Sequence, residues 1–151
     1  QDEYLRNSES YRKGYVMITG IGCDVVELKR VEEVLLKHGE RFVERILTPN
    51  EMPLYHKRLS LSKSHALAFV ASRWAAKEAV SKALGTGIAE DVTFHSMEVM
   101  HNTKGAPLML FCNALRERLM KEGIFVHISI TDEKAMVAAF AVAEQRLEGA
   151  H

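Results

Sequence analysis

Two acidic residues stand where folding alone would favour an apolar or neutral side chain. Asp24 ends an otherwise apolar, strand-like segment, although Asp is depleted in strands because its carboxylate competes for backbone donors. Glu78 lies in an alanine-rich segment with helical spacing, where its neighbours should enclose it partly, and an enclosed carboxylate needs a cation. Two carboxylates delivered by a strand end and a helix can hold a divalent cation such as Mg²⁺, which then binds phosphate oxygens. We therefore interpret this pair as a candidate metal site.

Each carboxylate also has a simpler interpretation. Asp24 could be a turn residue at the strand end or the cap of the helix that follows. Glu78 and Lys82 are four residues apart in the order that favours a solvated ion pair, which would contribute only about 0.2–0.5 kcal/mol. The sequence alone leaves both alternatives open.

Two pairs of glycines are candidates for phosphate binding. Gly20 and Gly22 resemble the start of a dinucleotide fingerprint, but Val25 takes the place of the third glycine and the strand runs through the pair, so we reject a Rossmann site. Gly85 and Gly87 follow a helix instead of preceding one and cannot form a P-loop. They could still approach a phosphate closely, although a helix C-cap is the simpler interpretation.

A basic group lies on the first two predicted helices. Its members are Arg30, Lys37, Arg41 and Arg45, with Phe42 among them. A solvated helix face is the default interpretation, because Glu40 and Glu44 are interspersed, and docking of an acidic partner is the alternative. The seven histidines show no metal-ligand spacing, so we assign no metal to them.

Composition limits the classes of function. The chain has 151 residues, enough for one domain that buries roughly two thirds of its unfolded surface. Lys plus Arg and Asp plus Glu are both 20, so nucleic acid and membrane surfaces are not expected partners. Cys23 and Cys112 are too few for a disulfide framework, which predicts free thiols and a reducing, cytoplasmic location. Residues 1–16 have no apolar signal region, and we interpret them as an N-terminal extension or a cloning remnant before a domain over 17–151.

The periodicities predict an α+β fold, with an antiparallel sheet packed against a long central helix and shorter helices. The long helix is predicted over 65–84, and another begins at Thr48, with Pro49 at its first position and Glu51 completing a capping box. The remaining helices are predicted over 27–36, 42–47 and 113–122, and the strands over 15–26, 92–100, 108–111, 124–130 and 135–142.

Three segments in order, 20–30, 41–48 and 73–87, followed by 104–107 and 127–131, resemble the bacterial holo-(acyl-carrier-protein) synthases. These enzymes are the single-copy, trimeric class of phosphopantetheinyl transferases, and the resemblance spans roughly residues 17–143. It implies transfer of the 4′-phosphopantetheine arm of coenzyme A to a serine of apo acyl carrier protein, with Mg²⁺ as cofactor and release of adenosine 3′,5′-bisphosphate. The alternative is a non-catalytic module that binds coenzyme A or a related nucleotide.

The resemblance also implies roles for individual residues. It makes Asp24 and Glu78 the metal ligands and, with Lys82, the catalytic residues. It assigns coenzyme A binding to Lys82, Gly85, Gly87 and Pro107, and carrier-protein docking to Arg30, Arg41, Phe42 and Arg45. It further implies a homotrimer with active sites between subunits, in the setting of fatty-acid synthesis. One position departs from the family: close relatives can carry His where this chain has Asp132, so we assign no coenzyme A contact there.

Overall fold

The computed structural model describes residues 16–146, which form five strands and five α-helices. The strands are β1 (Val16–Glu27), β2 (Met97–His101), β3 (Pro107–Phe111), β4 (Ile124–Asp132) and β5 (Met136–Arg146). The helices are α1 (Leu28–His38), α2 (Glu40–Ile46), α3 (Met52–Leu61), α4 (Lys63–Ala83) and α5 (Asn113–Glu122). Val16, the last residue of the predicted extension, begins β1, and the rest of that extension lies outside the described residues.

The strands form two antiparallel sheets instead of the one expected. A three-stranded sheet has the order β1-β5-β4, and a separate hairpin pairs β2 with β3. The predicted strand over 92–100 is shortened by a 3₁₀ turn at Phe94–Ser96, where the side chains of Thr93 and Ser96 cap each other's backbone N–H groups. This local capping ends the extended pattern and leaves only Met97–His101 to pair with β3.

The long helix α4 lies against β1 because β1 carries glycines at the contact. A Cβ atom on Gly20 would lie 1.9 Å from the carbonyl oxygen of Ala83, and one on Gly22 would lie 1.9 Å from that of Ala79. No larger side chain fits at either position without moving the backbone. The two glycines therefore have a packing role, which sets the spacing between the middle of β1 and the C-terminal half of α4.

The helix predicted from Thr48 begins four residues later, at Met52. The predicted reciprocal pair is nevertheless present: Thr48 N–H donates to Glu51 Oε1 at 3.0 Å, and Glu51 N–H donates to Thr48 Oγ1 at 3.3 Å. The boundary prediction was wrong because these residues form a turn in which the Glu51 carboxylate points inward to Lys77. Tertiary contacts therefore placed the helix start.

The two faces of the three-stranded sheet differ in environment. One face packs on α4 through Val137, Ala139, Ala141 and Ala143 of β5, all of which are buried. The other face presents large apolar side chains that are between 50% and 73% exposed, namely Ile18, Ile21, Val25 and Phe140. Within 16–146, no helix has the length and hydrophobicity to cross a bilayer. The cysteines at 23 and 112 are both free thiols, as predicted.

Candidate active site

The packing of β1 on α4 places Asp24 beside Lys82. The Lys82 ammonium donates to Asp24 Oδ1 at 3.1 Å and to the carbonyl oxygen of Cys23 at 3.0 Å. Asp24 does not cap the next helix, because Glu27 occupies the N-cap position of α1 and makes no side-chain capping bond. Lys82 also does not form an ion pair with Glu78, one turn away on the same helix. Within residues 16–146, the carboxylate partner of Lys82 is Asp24.

Glu78 lies one turn before Lys82 and is partly buried. Its pKa is raised above the ordinary glutamate value, first by burial and then by the negative charge of Asp24. Lys82, a hydrogen bond from Trp74 and the charge of Arg30 act in the opposite direction. The two carboxylates are therefore close enough to repel each other, and a cation between them would relieve the repulsion.

This pair fits a hard divalent cation that takes few protein ligands. The described part of the chain contains no cluster of three or more His, Cys, Asp or Glu residues arranged to hold a metal. Mg²⁺ commonly binds through one or two carboxylates and completes its coordination with water and substrate phosphate oxygens. Asp24 and Glu78 would supply the protein ligands of such a site, whereas a structural zinc site would need four protein ligands.

A cleft of about 930 Å³ opens beside Glu78 between α1, α2 and α4. Its floor is aromatic: Phe42 and Trp74 meet edge to face, with ring centroids 5.2 Å apart at 73°. The Arg30 guanidinium stacks over the same Trp74 ring at 5.1 Å. Three of the predicted docking residues, Arg41, Phe42 and Arg45, line the cleft directly.

The wall of the cleft is mainly basic. Lys37, His38, Arg41 and Arg45 line it, together with the acidic residues Glu44 and Glu78. Arg45 also borders a second, smaller cleft of about 300 Å³ beside Ile88 and Phe94. An elongated anionic ligand or an acidic protein surface would match this charge distribution.

The predicted coenzyme A residues are divided between two places. Gly85 and Gly87 form a tight loop after α4 with positive φ angles of 83° and 66°. The Gly85 N–H donates to Lys82 and the Gly87 N–H to Ser81. Open space surrounds both α-carbons, so backbone conformation, and not crowding, requires glycine. Pro107 lies instead at the start of β3, paired with His101, and lines neither cleft in the described structure.

Two charged residues of α4 for which the sequence predicted no individual role are buried. Lys77 is fully buried, and it donates to Glu51 Oε1 at 2.5 Å. Arg73 is 7% exposed, packs 3.9 Å from the centroid of the Phe69 ring, and its Nε has no hydrogen-bond partner within residues 16–146. Burial lowers the pKa of Arg73 to about 10. The sequence feature that could have indicated their burial is their position in the same alanine-rich helical segment as Glu78.

Comparisons with known proteins agree with the resemblance. Residues 20–143 match the family model of the 4′-phosphopantetheinyl transferase superfamily. The chain is 39% identical over 127 residues to the holo-[acyl-carrier-protein] synthase of Ralstonia nicotianae, covering 84% of this chain and 92% of the relative. It is similar to the crystal structure of the Neisseria meningitidis synthase, with a TM-score of 0.77, 40% identity, and coverage of 84% of this chain and 98% of that one. A Bacillus anthracis synthase, solved in complex with CoA (3′,5′-ADP), gives a TM-score of 0.70 at 40% identity, covering 85% of this chain and 98% of that one.

Proposed function

The chain belongs to the 4′-phosphopantetheinyl transferase superfamily, as an enzyme of the holo-[acyl-carrier-protein] synthase type, and we propose on this basis a specific reaction for it. It transfers the 4′-phosphopantetheine group of coenzyme A to a serine of apo acyl carrier protein. The observation that carries the proposal is the convergence of Asp24, Lys82 and Glu78, the last of which lines a basic, aromatic cleft. The coenzyme A complex of the Bacillus anthracis synthase supports coenzyme A as the donor.

The reaction exchanges one phosphorus–oxygen bond for another. The serine oxygen bonds to the phosphorus that carries the pantetheine arm, and the bond from that phosphorus to the bridging pyrophosphate oxygen breaks. The electron pair of the broken bond leaves with adenosine 3′,5′-bisphosphate, and the serine gives up its proton. The two obstacles are the negative charge of the diphosphate and the weak nucleophilicity of a neutral hydroxyl.

Glu78 is suited to accept the serine proton. Its carboxylate borders the cleft where a partner serine would enter, and its raised pKa makes it a stronger base than an ordinary glutamate. Lys82 is half exposed beside it and carries a positive charge that can neutralise the leaving phosphate. Asp24 orients Lys82 through their hydrogen bond.

Asp24 and Glu78 would also hold Mg²⁺, and their mutual repulsion is the observation that fits a cation between them. When bound, the ion supplies charge neutralisation of the pyrophosphate oxygens. Gly85 and Gly87, in the tight loop that follows Lys82 along the chain, would offer backbone without side chains to the same phosphates.

The basic wall serves as the docking surface for acyl carrier protein, which we expect to present an acidic helix beside its target serine. Arg30, Arg41 and Arg45 are exposed, and Phe42 is half-buried against Trp74. Charged residues at the rim steer the partner, and the aromatic floor supplies apolar contact. This arrangement would direct a serine from the cleft mouth toward Glu78.

The open face of the three-stranded sheet supports a homotrimer. Ile21, Val25 and Phe140 are too large and too exposed for a face that stays in water, and cyclic association would cover them. Pro107 could then contribute to coenzyme A binding from a neighbouring copy, because within one chain it lies in the other sheet. Fatty-acid synthesis in the cytoplasm is the setting we propose for the activity.

Mass spectrometry tests the reaction directly. Apo acyl carrier protein incubated with coenzyme A, Mg²⁺ and this protein should gain one phosphopantetheine group, and a chelator should stop the gain. Glu78→Gln should lower the rate about 10²-fold or more, the usual contribution of a general base. The matched control is Glu117→Gln, an exposed glutamate on α5. Coenzyme A binding by the wild type without transfer would support the non-catalytic alternative instead.

A further inference from the structure

Four charged side chains are buried behind the docking cleft, and the proposed reaction uses none of them. Lys77 is 0% exposed, Glu51 2%, Arg73 7% and Glu98 9%. Charged groups are almost never fully buried without a partner, because removing an ion from water is energetically costly. Their arrangement therefore needs an explanation beyond ordinary core packing.

Lys77 and Glu51 connect three elements at one point. Lys77 Nζ donates to the carbonyl oxygen of Ile46 at 2.7 Å and to Glu51 Oε1 at 2.5 Å. Glu51 also accepts the Thr48 N–H at 3.0 Å through Oε1 and the Val99 N–H at 3.1 Å through Oε2. The pair thus ties the last residue of α2, the turn that follows it and strand β2 to the middle of α4.

The pair is poorly explained by stability alone. Burial lowers the pKa of Lys77, and the charge and hydrogen bond of Glu51 oppose that effect. Well-packed apolar residues of the same volume often give equal or greater stability than a buried ion pair. What apolar residues cannot supply is the bond to the Ile46 carbonyl, which fixes where α2 ends relative to α4.

Helix α2 has only seven residues, and it carries the docking side chains of Arg41, Phe42 and Arg45. Its C-terminal end is held by Lys77, and its middle contacts α4 through the Phe42–Trp74 pair. Asp24 and Lys82, on the side of the site proposed to bind phosphate, are held in another way. There, Gly20 and Gly22 pack on Ala83 and Ala79. The two halves of the site therefore have separate anchors on the same helix.

We propose that Lys77 and Glu51 are positioning residues, which fix α2 against α4 and so set the distance from the carrier-protein docking side chains to Glu78. The inference rests on the proposed function. It assigns the buried pair to recognition of the carrier protein and not to binding of coenzyme A. Neither residue touches the reacting atoms.

The first test is Lys77→Met, which keeps the aliphatic volume and removes both bonds from Nζ. The KM for apo acyl carrier protein should rise about tenfold or more, because small misplacements of binding groups carry large effects. The KM for coenzyme A should stay within about twofold of the wild-type value, a margin of under roughly 0.5 kcal/mol. Equal increases in both KM values would overturn the assignment to the docking half.

A control separates positioning from loss of folded protein. Leu119→Ala removes a buried side chain from α5, away from this network, and should destabilise the fold by a cavity effect. It should lower the amount of active enzyme and leave both KM values unchanged. If Lys77→Met behaves like this control, the pair is only structural and the proposal is wrong.

The double variant Glu51→Gln with Lys77→Met keeps the test usable if the single variant folds poorly. Removing both charges leaves neither Lys77 nor Glu51 as a buried ion without its partner, so the melting temperature should recover from that of the single variant toward that of the wild type. The high KM for the carrier protein should persist, because the Ile46 carbonyl still lacks its donor. Recovery of both quantities together would contradict the proposal. If the wild type itself transfers nothing, the proposed function fails first, and that outcome is distinct from either result.

Discussion

Lys82 Nζ lies 3.1 Å from Asp24 Oδ1, although 58 positions separate the two residues along the chain. The contact is made possible by Gly20 and Gly22, which let α4 approach β1 to backbone contact. Because Glu78 lies one turn from Lys82, the same approach brings a second carboxylate to Asp24. The residues of the candidate active site are therefore brought together by the close packing of glycines in β1 on the alanine-rich helix α4.

Gly22→Ala should damage both the fold and the site. The added methyl group would lie 1.9 Å from the carbonyl oxygen of Ala79, so β1 and α4 must separate or the backbone must shift. Overpacking of this kind costs about 1–3 kcal/mol, and the melting temperature should fall by several degrees. Transfer activity should fall further than the loss of folded protein explains, because Asp24 and Lys82 move apart. An unchanged melting temperature would show that the strand and helix are not in such close contact.

Glu78→Gln should stabilise the ligand-free protein at neutral pH. The pKa of Glu78 is raised in the folded state, so between its unfolded and folded pKa values the native protein binds more protons than the unfolded chain. Stability is therefore lost as the pH rises through that interval, and a neutral glutamine avoids the loss. Thermal unfolding should show a higher Tm for the variant at pH 7. This gain in Tm should shrink as the pH falls toward the pKa of an ordinary glutamate. A gain that is constant across pH would contradict the assignment.

Arg41→Ala and Arg45→Ala should weaken the use of carrier protein without affecting coenzyme A. Both guanidinium groups are exposed at the mouth of the cleft, where rim charges act mainly on association. The KM for the carrier protein should rise severalfold at low salt, and the difference from the wild type should shrink as salt is added. Arg116→Ala, an exposed arginine on α5, is the matched control and should leave kinetics unchanged. Equal effects at both surfaces would remove α2 from the docking interface.

Phe140→Glu should prevent assembly of the proposed trimer. Phe140 lies on β5, the central strand of the three-stranded sheet, and is 50% exposed on its open face. A charge there could not be buried against another copy without a partner. Light scattering after size exclusion should give the trimer mass for the wild type and the monomer mass for the variant. If the wild type is already a monomer, the open face has another role.

Local patterns were enough to predict several elements. The bounds of α5 are as predicted, and Thr48 and Glu51 form their reciprocal pair. These features depend on neighbours within a few residues, so the chain encodes them wherever it folds. The α+β class and the family are confirmed as well, because ordered motifs and alternating periodicities persist across the sequence.

The residues suited to the chemistry can be identified from the sequence, but their partners depend on how distant elements pack. Helical spacing pairs Glu78 with Lys82, yet the ammonium binds Asp24, because packing distance and not sequence distance governs the contact. Nothing in the sequence distinguishes Lys77 from the other residues of its alanine-rich helix. Its burial against Glu51 shows that it links α4 to the turn after α2. Side-chain pairing across the fold depends on how closely backbones approach, a quantity that periodicity does not contain.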